Sequence, residues 1–213
     1  MDRITPEVKS HIETTILPKY KELKGHTVEH IEEVISRSLE FAKQAPEVNL
    51  DMVYIITAYH DLGRLIDNET HNFESAKMLR QDDYLCQHFT PEEINTMAEA
   101  VEDHRASLDH EPRSIYGKIV SSADRNASLD NMLERAYDYY RSLNPDLTED
   151  ELIENVRIHL RKKYSPDGYA AKTMYFKDPN FENMLKEVEE ITRTPEEFNK
   201  TQKDFNNKRF ATS

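Results

Sequence analysis

Four residues of types that bind transition metals fall on the apolar faces of predicted helices, far apart along the chain. His30 adjoins the buried stripe of its helix, and Asp124 follows Val120 by four residues, so both are expected to point inward. His60 and Asp61 end the most apolar segment of the sequence. A buried ionised carboxylate is normally paired or bound to a metal, and imidazole with carboxylate is the ligand set of Zn, Mn, Fe or Co rather than Ca. These residues therefore indicate a transition-metal site.

Each of these residues, taken alone, has a plainer interpretation as a polar side chain that is satisfied within the core. Helical spacing gives Asp61 one cationic neighbour, Arg64, and gives Asp124 none. Ligands that converge from several helices are a common way to build a metal site in a bundle. His26 and His30 also form an HxxxH pair, a spacing that can bind zinc, but no glutamate follows His26 as it does in a zinc protease. The zinc-protease interpretation therefore fails, and His26 is expected to lie near the start of the helix.

The segments that must position these residues show helical periodicity. Apolar residues recur every three or four positions over 28–42, and Asp51 is a predicted N-cap for a very apolar helix over 52–61 that Gly63 ends. Capping signals and apolar periodicity predict four more helices. The first begins at Pro91, the second lies around 116–123 and continues with a break toward Tyr140, the third runs from Thr148 to about Leu160, and the fourth lies around 181–191. The sequence shows no alternating strand pattern and no internal repeat. The predicted fold class is all-α, a helical bundle.

We expect one helical domain over residues 1–213. Its motif-bearing core lies at about 20–135, a C-terminal helical elaboration follows at 136–195, and the Asn- and Lys-rich tail at 196–213 is predicted to fray. Residues 164–180 form an aromatic-rich connection without a clear helical pattern. The chain is long enough to bury one sizeable core.

The composition argues against several classes of function. The 28 basic and 41 acidic residues give a net charge of −13, which opposes binding to nucleic-acid phosphates. No stretch approaches the roughly 18–20 apolar residues that a membrane helix needs, and the N-terminus lacks the apolar region of a secretory signal. The single cysteine, Cys86, fits a reducing compartment. We expect a cytoplasmic protein that binds neither nucleic acid nor membrane.

The local sequences around the four candidate ligands resemble the HD superfamily of metal-dependent phosphohydrolases. The first histidine lies in HIEEVISRSLEFA, the adjacent histidine and aspartate in ITAYHDLGR, and the last aspartate in GKIVSSADR. The resemblance covers about residues 20–135. It implies an HD-domain helical bundle with additional C-terminal helices, and a metal site formed by His30, His60, Asp61 and Asp124. The ion that it implies is divalent Mn, Fe, Co, Ni or Zn, with Mg as a further option.

Two further histidines decide which type of HD protein this chain resembles. His71, in THNFESAKML, and His104, in AVEDHRAS, occupy settings where HD proteins often place a histidine. In dinuclear members, histidines of this region bind a second metal, and the aspartate of the pair bridges both ions. In mononuclear members they face the substrate or the attacking water. As catalytic residues they would protonate the leaving oxygen or neutralise developing charge, while Asp61 orients the water.

Basic residues near the motifs are candidates for binding a substrate phosphate. Arg64 and Arg105 each lie within one turn of a proposed site residue, and Lys118 lies in the near-neutral segment 104–127 of an otherwise acidic chain. The planar guanidinium group suits phosphate oxygens. The alternative for any one of these residues is an ordinary surface ion pair.

The leading functional hypothesis is hydrolysis of a phosphate ester or phosphoanhydride in a small molecule, a nucleotide or pyrophosphate, by metal-activated water. A first alternative is an HD-type di-iron oxygenase, whose ligand set would be His30, His60, Asp61, His71, His104 and Asp124. A second alternative is a non-catalytic, nucleotide-sensing metal-binding module. The expected partner is a small phosphorylated substrate. The sequence leaves the identity of the substrate, the number of metal ions and the oligomeric state open, a homodimer among the options.

Overall fold

A computed structural model describes residues 4–23, 28–125 and 128–211. None of the described residues forms a β-strand, and most of them are helical, so the predicted all-α fold class is confirmed. Contacts between Cα atoms divide the chain into two compact units, Met1–Asp124 with Met174–Lys177, and Arg125–Thr173 with Asp178–Ser213. That residues 1–213 form one domain stays a prediction. Among the described helices, none combines the length and the apolar composition that crossing a membrane requires.

The first unit is a helical bundle. Its α-helices are α1 (Pro6–His11), α2 (Val28–Ala42), α3 (Leu50–Tyr59), α4 (His71–Arg80), α5 (Asp83–His88), α6 (Pro91–Glu102) and α7 (Ile115–Ala123). A π-helical turn at Ile12–Ile16 and a 3₁₀ helix at Leu17–Glu22 extend α1, and another 3₁₀ helix, Leu62–Leu65, lies between α3 and α4. Helix α3 packs against α2, α6 and α7 and so lies at the centre of the unit.

Helix α3 is buried along nearly its whole length, since all residues from 52 to 59 are buried. The helix begins earlier than predicted because Asn49 rather than Asp51 caps it, accepting a hydrogen bond from the backbone N–H of Asp51. It ends just before His60, so His60 and Asp61 lie in the turn that leads into the following 3₁₀ helix. The most apolar helix of the unit thus delivers two polar side chains to its interior.

The neighbours of α3 form where the sequence predicts them. Helix α2 covers the predicted range 28–42 and packs against α3 and α7 with its buried stripe. Helix α6 opens with a capping box, in which the Thr90 side chain accepts from the backbone N–H of Glu93 and the Glu93 side chain accepts from that of Thr90. Helices α2 and α6 thus both pack against α3.

The second unit is built around one long helix. Its α-helices are α8 (Leu129–Leu143), α9 (Glu149–Tyr164), α10 (Tyr169–Lys172), α11 (Pro179–Ile191) and α12 (Pro195–Ala211). Helix α9 begins at the predicted capping box of Thr148 and Glu151 and packs against the other four helices. The aromatic-rich connection at 164–180 contains the short helix α10.

The prediction that the chain frays after residue 196 is wrong. Residues Pro195–Ala211 form α12, and Phe198 of this helix is fully buried. Arg209 makes two hydrogen bonds to the carboxylate of Asp138 on α8, at 2.7 and 2.8 Å. One buried aromatic ring and paired charges hold this helix, and neither feature gives the periodic apolar stripe by which helices are recognised in a sequence.

Candidate metal centre

The four predicted metal ligands converge in the first unit. They are His30 in the first turn of α2, His60 and Asp61 after α3, and Asp124 after α7, and their ligand atoms lie within 4.8 Å of one another. Nε2 of His60 lies 3.4 Å from Oδ2 of Asp61 and 3.6 Å from Oδ1 of Asp124. Nε2 of His30 lies 3.7 Å from the same oxygen of Asp124. Nitrogen and oxygen ligands of a tetrahedral ion are about 3.3–3.6 Å apart, so these atoms are spaced for one shared ion.

The four predicted ligands differ in how deeply their side chains are buried. His60 and Asp61 are almost completely buried, whereas the side chains of His30 and Asp124 remain 20% and 24% exposed. Solvent therefore reaches part of the His30 and Asp124 side chains, whereas Nε2 of His30, the atom that faces Asp124, is buried.

Three histidine rings of the region are oriented by the same hydrogen bond. Nδ1 of His60 contacts the carbonyl oxygen of Thr57 at 2.7 Å, Nδ1 of His71 contacts that of Asn68 at 2.8 Å, and Nδ1 of His104 contacts that of Val101 at 2.7 Å. A carbonyl oxygen only accepts, so Nδ1 carries the hydrogen in each ring and donates it. Nε2 therefore faces the centre in each ring and carries the lone pair whenever the ring is neutral, as in histidines that bind a metal through Nε2.

The electrostatics of the centre favour a cation. Burial lowers the pKa of the His60 imidazole, but the charges of Asp61 and Asp124 outweigh burial and raise this pKa to about 10. Burial raises the pKa of Asp124, whereas its contacts with His30 and His60 hold that pKa well below its usual range. Nε2 of His60 is buried and makes no hydrogen bond of ordinary geometry within the described part of the chain. A divalent transition-metal ion fits this set of donors because it compensates both the carboxylates and this nitrogen.

Two buried hydroxyl contacts hold the C-terminal end of α3. Oγ1 of Thr57 is hydrogen-bonded to Oγ of Ser38 on α2 at 2.9 Å, and Tyr20 donates to the carbonyl oxygen of Ala58 at 3.0 Å. Burial and the charge of Asp61 raise the pKa of the Tyr20 hydroxyl, so it remains a neutral donor. Sequence reasoning missed both contacts. Thr57 interrupts an apolar run and offered a signal, whereas Tyr20 lies in a 3₁₀ turn that no pattern connects to the centre.

His30, His60, Asp61 and Asp124 form a first group of possible ligands. Asp61, His71 and His104 form a second group, which shares Asp61 with the first. The Nε2 atoms of His71 and His104 lie 3.2 Å apart, and they lie 3.4 and 3.8 Å from Oδ1 of Asp61. Burial and the charge of Arg64 lower the pKa of His71, and burial and the charge of His60 lower the pKa of His104 to about 3. Both histidines therefore lie beside the first group. Their distances from Asp61 are compatible with binding a second metal and with facing the substrate or the attacking water.

The approach of His71 to Asp61 depends on Gly63. A Cβ atom on Gly63 would lie 2.1 Å from the carbonyl oxygen of His71 and 2.7 Å from the backbone nitrogen of Ser75. The backbone N–H of Gly63 also donates to Oγ of Ser75 at 2.7 Å. Glycine here does more than end a helix, because it lets the 3₁₀ helix touch the first turn of α4.

Two of the three basic residues predicted to bind phosphate lie at the second group. Arg64 donates from Nε to Oδ1 of Asp61 at 2.7 Å. Arg105 donates to the carbonyl oxygen of Glu69 at 2.7 Å, and its charge contributes to the lowered pKa of His71. Both side chains therefore bring positive charge near His71.

Among the other residues named from the sequence, Lys118 makes its described contacts away from the centre. Lys118 forms an ion pair with Glu111 at 3.1 Å and lies over the ring of Tyr175. His26 lies outside the described residues. A phosphate-binding role for Lys118 and the position of His26 near the start of the helix both stay predictions.

Comparison with known families points to the same segment of the chain. The family model described as HD domain matches residues 27–129. This range contains both groups of ligands, from His30 to Asp124. No curated protein and no solved structure matches the chain.

Proposed function

Residues 27–129 belong to the HD-domain family, and on that premise we propose that the protein is a metal-dependent phosphohydrolase. It would cleave a phosphate ester or phosphoanhydride of a small molecule, a nucleotide or pyrophosphate. The observation that carries this proposal is the convergence of two imidazoles and two carboxylates, from three separate helices, at the spacing of one shared ion. HD domains bind divalent metals, and a transition metal matches these donors.

In this proposal His30, His60, Asp61 and Asp124 hold the cation. A bound divalent cation supplies Lewis acidity, which lowers the pKa of water far below its value in bulk, toward ~7, and neutralises charge on phosphoryl oxygens. His60 and Asp61 fix the geometry because α3 and its hydroxyl contacts leave them little freedom. His30 and Asp124, whose side chains solvent reaches in part, complete the set.

His71 and His104 are the proposed proton-handling groups. Their Nδ1 atoms are committed to carbonyl oxygens, so each ring meets the centre through Nε2 alone. The Nε2 lone pairs face the region beside Oδ1 of Asp61, where one of them can first accept a proton from the attacking water. From there the proton can pass to the leaving oxygen of a phosphate bound at the centre. Arg64 and Arg105 add positive charge near His71 for the phosphate oxygens.

A screen for phosphate release tests the proposed function. Protein purified without chelator would be assayed with nucleoside mono- and triphosphates, dinucleoside polyphosphates and pyrophosphate, each with Mn²⁺, Co²⁺, Fe²⁺ and Mg²⁺. We expect turnover of at least one substrate that is lost on chelation and restored by metal. Asp61→Ala should lose both metal and turnover, whereas His88→Ala is the matched control, because His88 is exposed and stacks on Tyr84. Full turnover in metal-free Asp61→Ala would refute the proposal.

One observation favours a second candidate. Asp61, His71 and His104 also bring their ligand atoms within 4.8 Å of one another. Together with the first group they supply the donors of a dinuclear centre, as an HD-type di-iron oxygenase requires. Two irons per chain together with uptake of dioxygen would favour this candidate over the hydrolase.

A further inference from the structure

The guanidinium group of Arg64 is fixed at the second group by three acceptors, one for each nitrogen atom. Nε donates to Oδ1 of Asp61 at 2.7 Å, Nη1 donates to Oδ1 of Asn68 at 3.3 Å, and Nη2 donates to Nε2 of His71 at 3.3 Å. The side chain is 23% exposed, so most of it is packed at the centre. A guanidinium group is planar, always charged and has no acceptor atom. Arg64 is therefore a positive charge held in one place.

Arg64 uses atoms that a second metal ion would need. The second group offers three ligand atoms, which are Oδ1 of Asp61 and the Nε2 atoms of His71 and His104. The guanidinium group donates to the first two of these atoms. Nδ1 of His71 already donates to Asn68, so Nε2 has one in-plane lone pair, and that lone pair cannot serve an N–H group and a metal at once. A second ion would also meet the charge of the guanidinium group at close range.

The first group is built differently. Asp61 divides its oxygens between the two positions, since Oδ1 faces Arg64 and Oδ2 faces Nε2 of His60 at 3.4 Å. The guanidinium contacts of Arg64 are with Asp61, Asn68 and His71 rather than with His30, His60 or Asp124. The site for one metal is thus complete while the adjacent position is taken by a side chain.

We propose that Arg64 occupies the place of a second cation and makes this centre mononuclear. The inference rests on the proposed function, because it presupposes a metal at the first group. It assigns His71 and His104 to the substrate or the attacking water rather than to a metal. It also separates the hydrolase from the di-iron alternative, which needs two ions.

The test is the number of ions bound per chain when position 64 loses its charge. Full-length protein treated with chelator would be dialysed to equilibrium against Mn²⁺, and manganese per chain would be measured in wild type, Arg64→Met and Arg80→Met. Methionine keeps much of the bulk of arginine and removes the charge. Arg80 is the matched control, because it lies on α4 and pairs with Glu102 at 2.8 Å instead of with a ligand. Electron paramagnetic resonance would show whether two bound ions are coupled to each other.

We expect one ion in wild type, two coupled ions in Arg64→Met and one in Arg80→Met. Two ions in wild type, or one ion in both wild type and Arg64→Met, would overturn the inference and leave the proposed function intact. No ion in wild type would remove the proposed function and the inference with it. Should Arg64→Met fail to fold, His71→Ala decides: one ion before and after that change supports the inference, whereas a fall from two to one overturns it.

Discussion

Two aspartates of the first unit are equally buried and are compensated in different ways. The side chains of Asp61 and Asp103 are each 1% exposed. Arg113 satisfies both oxygens of Asp103, its backbone N–H donating to Oδ2 at 2.7 Å and its guanidinium group donating to both oxygens at 2.7 to 3.1 Å. The oxygens of Asp61 are divided, with Oδ1 accepting from Arg64 and Oδ2 facing Nε2 of His60.

The contrast separates a carboxylate paired with one arginine from one that is shared between an arginine and the histidines of the candidate metal centre. In Asp103, one arginine supplies both charge and hydrogen bonds, so the pair is complete within the protein. In Asp61, one oxygen points at a ring whose Nδ1 already donates to a carbonyl oxygen. Two lone pairs that face each other require a proton or a cation between them. Both aspartates are equally buried. They differ because Arg113 donates to both oxygens of Asp103, whereas Nε2 of His60 faces one oxygen of Asp61.

The largest effect is expected on metal affinity, when Asp61 loses its charge. Asp61→Asn keeps the shape of the side chain and removes its charge. Metal affinity should fall by at least about 100-fold, since changes outside the ligands already cost ~10–100-fold. Asp103→Asn is the matched control and should leave metal affinity unchanged. Calorimetric titration with Mn²⁺ measures both, and equal losses in the two variants would contradict the distinction.

The next effect is expected in stability rather than in metal binding. Arg113→Ala leaves the carboxylate of Asp103 buried without its cation. Breaking a buried pair costs ~3–5 kcal/mol, and because Arg113 is 41% exposed and water can replace it in part, we expect a loss of about 2–3 kcal/mol in the free energy of unfolding. Urea denaturation of the metal-free protein measures this loss. A change below about 0.5 kcal/mol, the usual size for a surface substitution, would show that the pair does not hold the fold.

Each of the two aspartate environments contains a glycine. Gly63 lies against His71, next to Asp61, and Gly117 lies against Asp103. A Cβ atom on Gly63 would strike the backbone of α4 at 2.1 Å, whereas one on Gly117 would meet side-chain Cβ atoms of Pro112 and Asp103 at 2.9 and 3.3 Å. Gly63→Ala should therefore destabilise by about 2–3 kcal/mol and lower turnover by displacing His71. Gly117→Ala should cost less, about 1 kcal/mol, because Pro112 must shift by a few tenths of an ångström while alanine gains ~0.5–1 kcal/mol inside a helix. Thermal unfolding compares them, and similar losses in the two variants would contradict the role of Gly63.

The smallest effect is expected at Lys118. Its ion pair with Glu111 lies at the surface, and such pairs contribute about 0–1 kcal/mol. Lys118→Ala should change neither stability nor the KM for substrate appreciably, whereas Arg105→Ala should raise KM. A clear rise in KM for Lys118→Ala in steady-state assays would restore the phosphate-binding role that the sequence predicts.

The sequence predicts well those features that depend on local periodicity. Helix α2 covers the predicted range, and the capping signals at Thr90 and Thr148 mark the true starts of α6 and α9. The inward positions of His60 and Asp61 follow from the apolar run of α3. In each case the determining interactions lie within a few residues of one another along the chain, so a pattern can record them.

Other features depend on contacts between distant segments and leave no such record. The approach of His71 to Asp61 requires the close contact of Gly63 with α4, and the sequence identifies Gly63 only as the end of a helix. Arg64 is one turn from Asp61 in the sequence, yet its hydrogen bond to His71 depends on where α4 lies. The buried ring of Phe198 that holds α12 is likewise a tertiary contact.

X-ray absorption spectroscopy of the cobalt-loaded protein reads the ligands of the metal directly. With His30, His60, Asp61 and Asp124 around the ion, we expect two imidazoles per cobalt together with oxygen ligands, and one imidazole in His60→Ala. A spectrum without imidazole, a sulfur ligand at ~2.3 Å from Cys86, or a His60→Ala spectrum identical to that of wild type would contradict this metal centre.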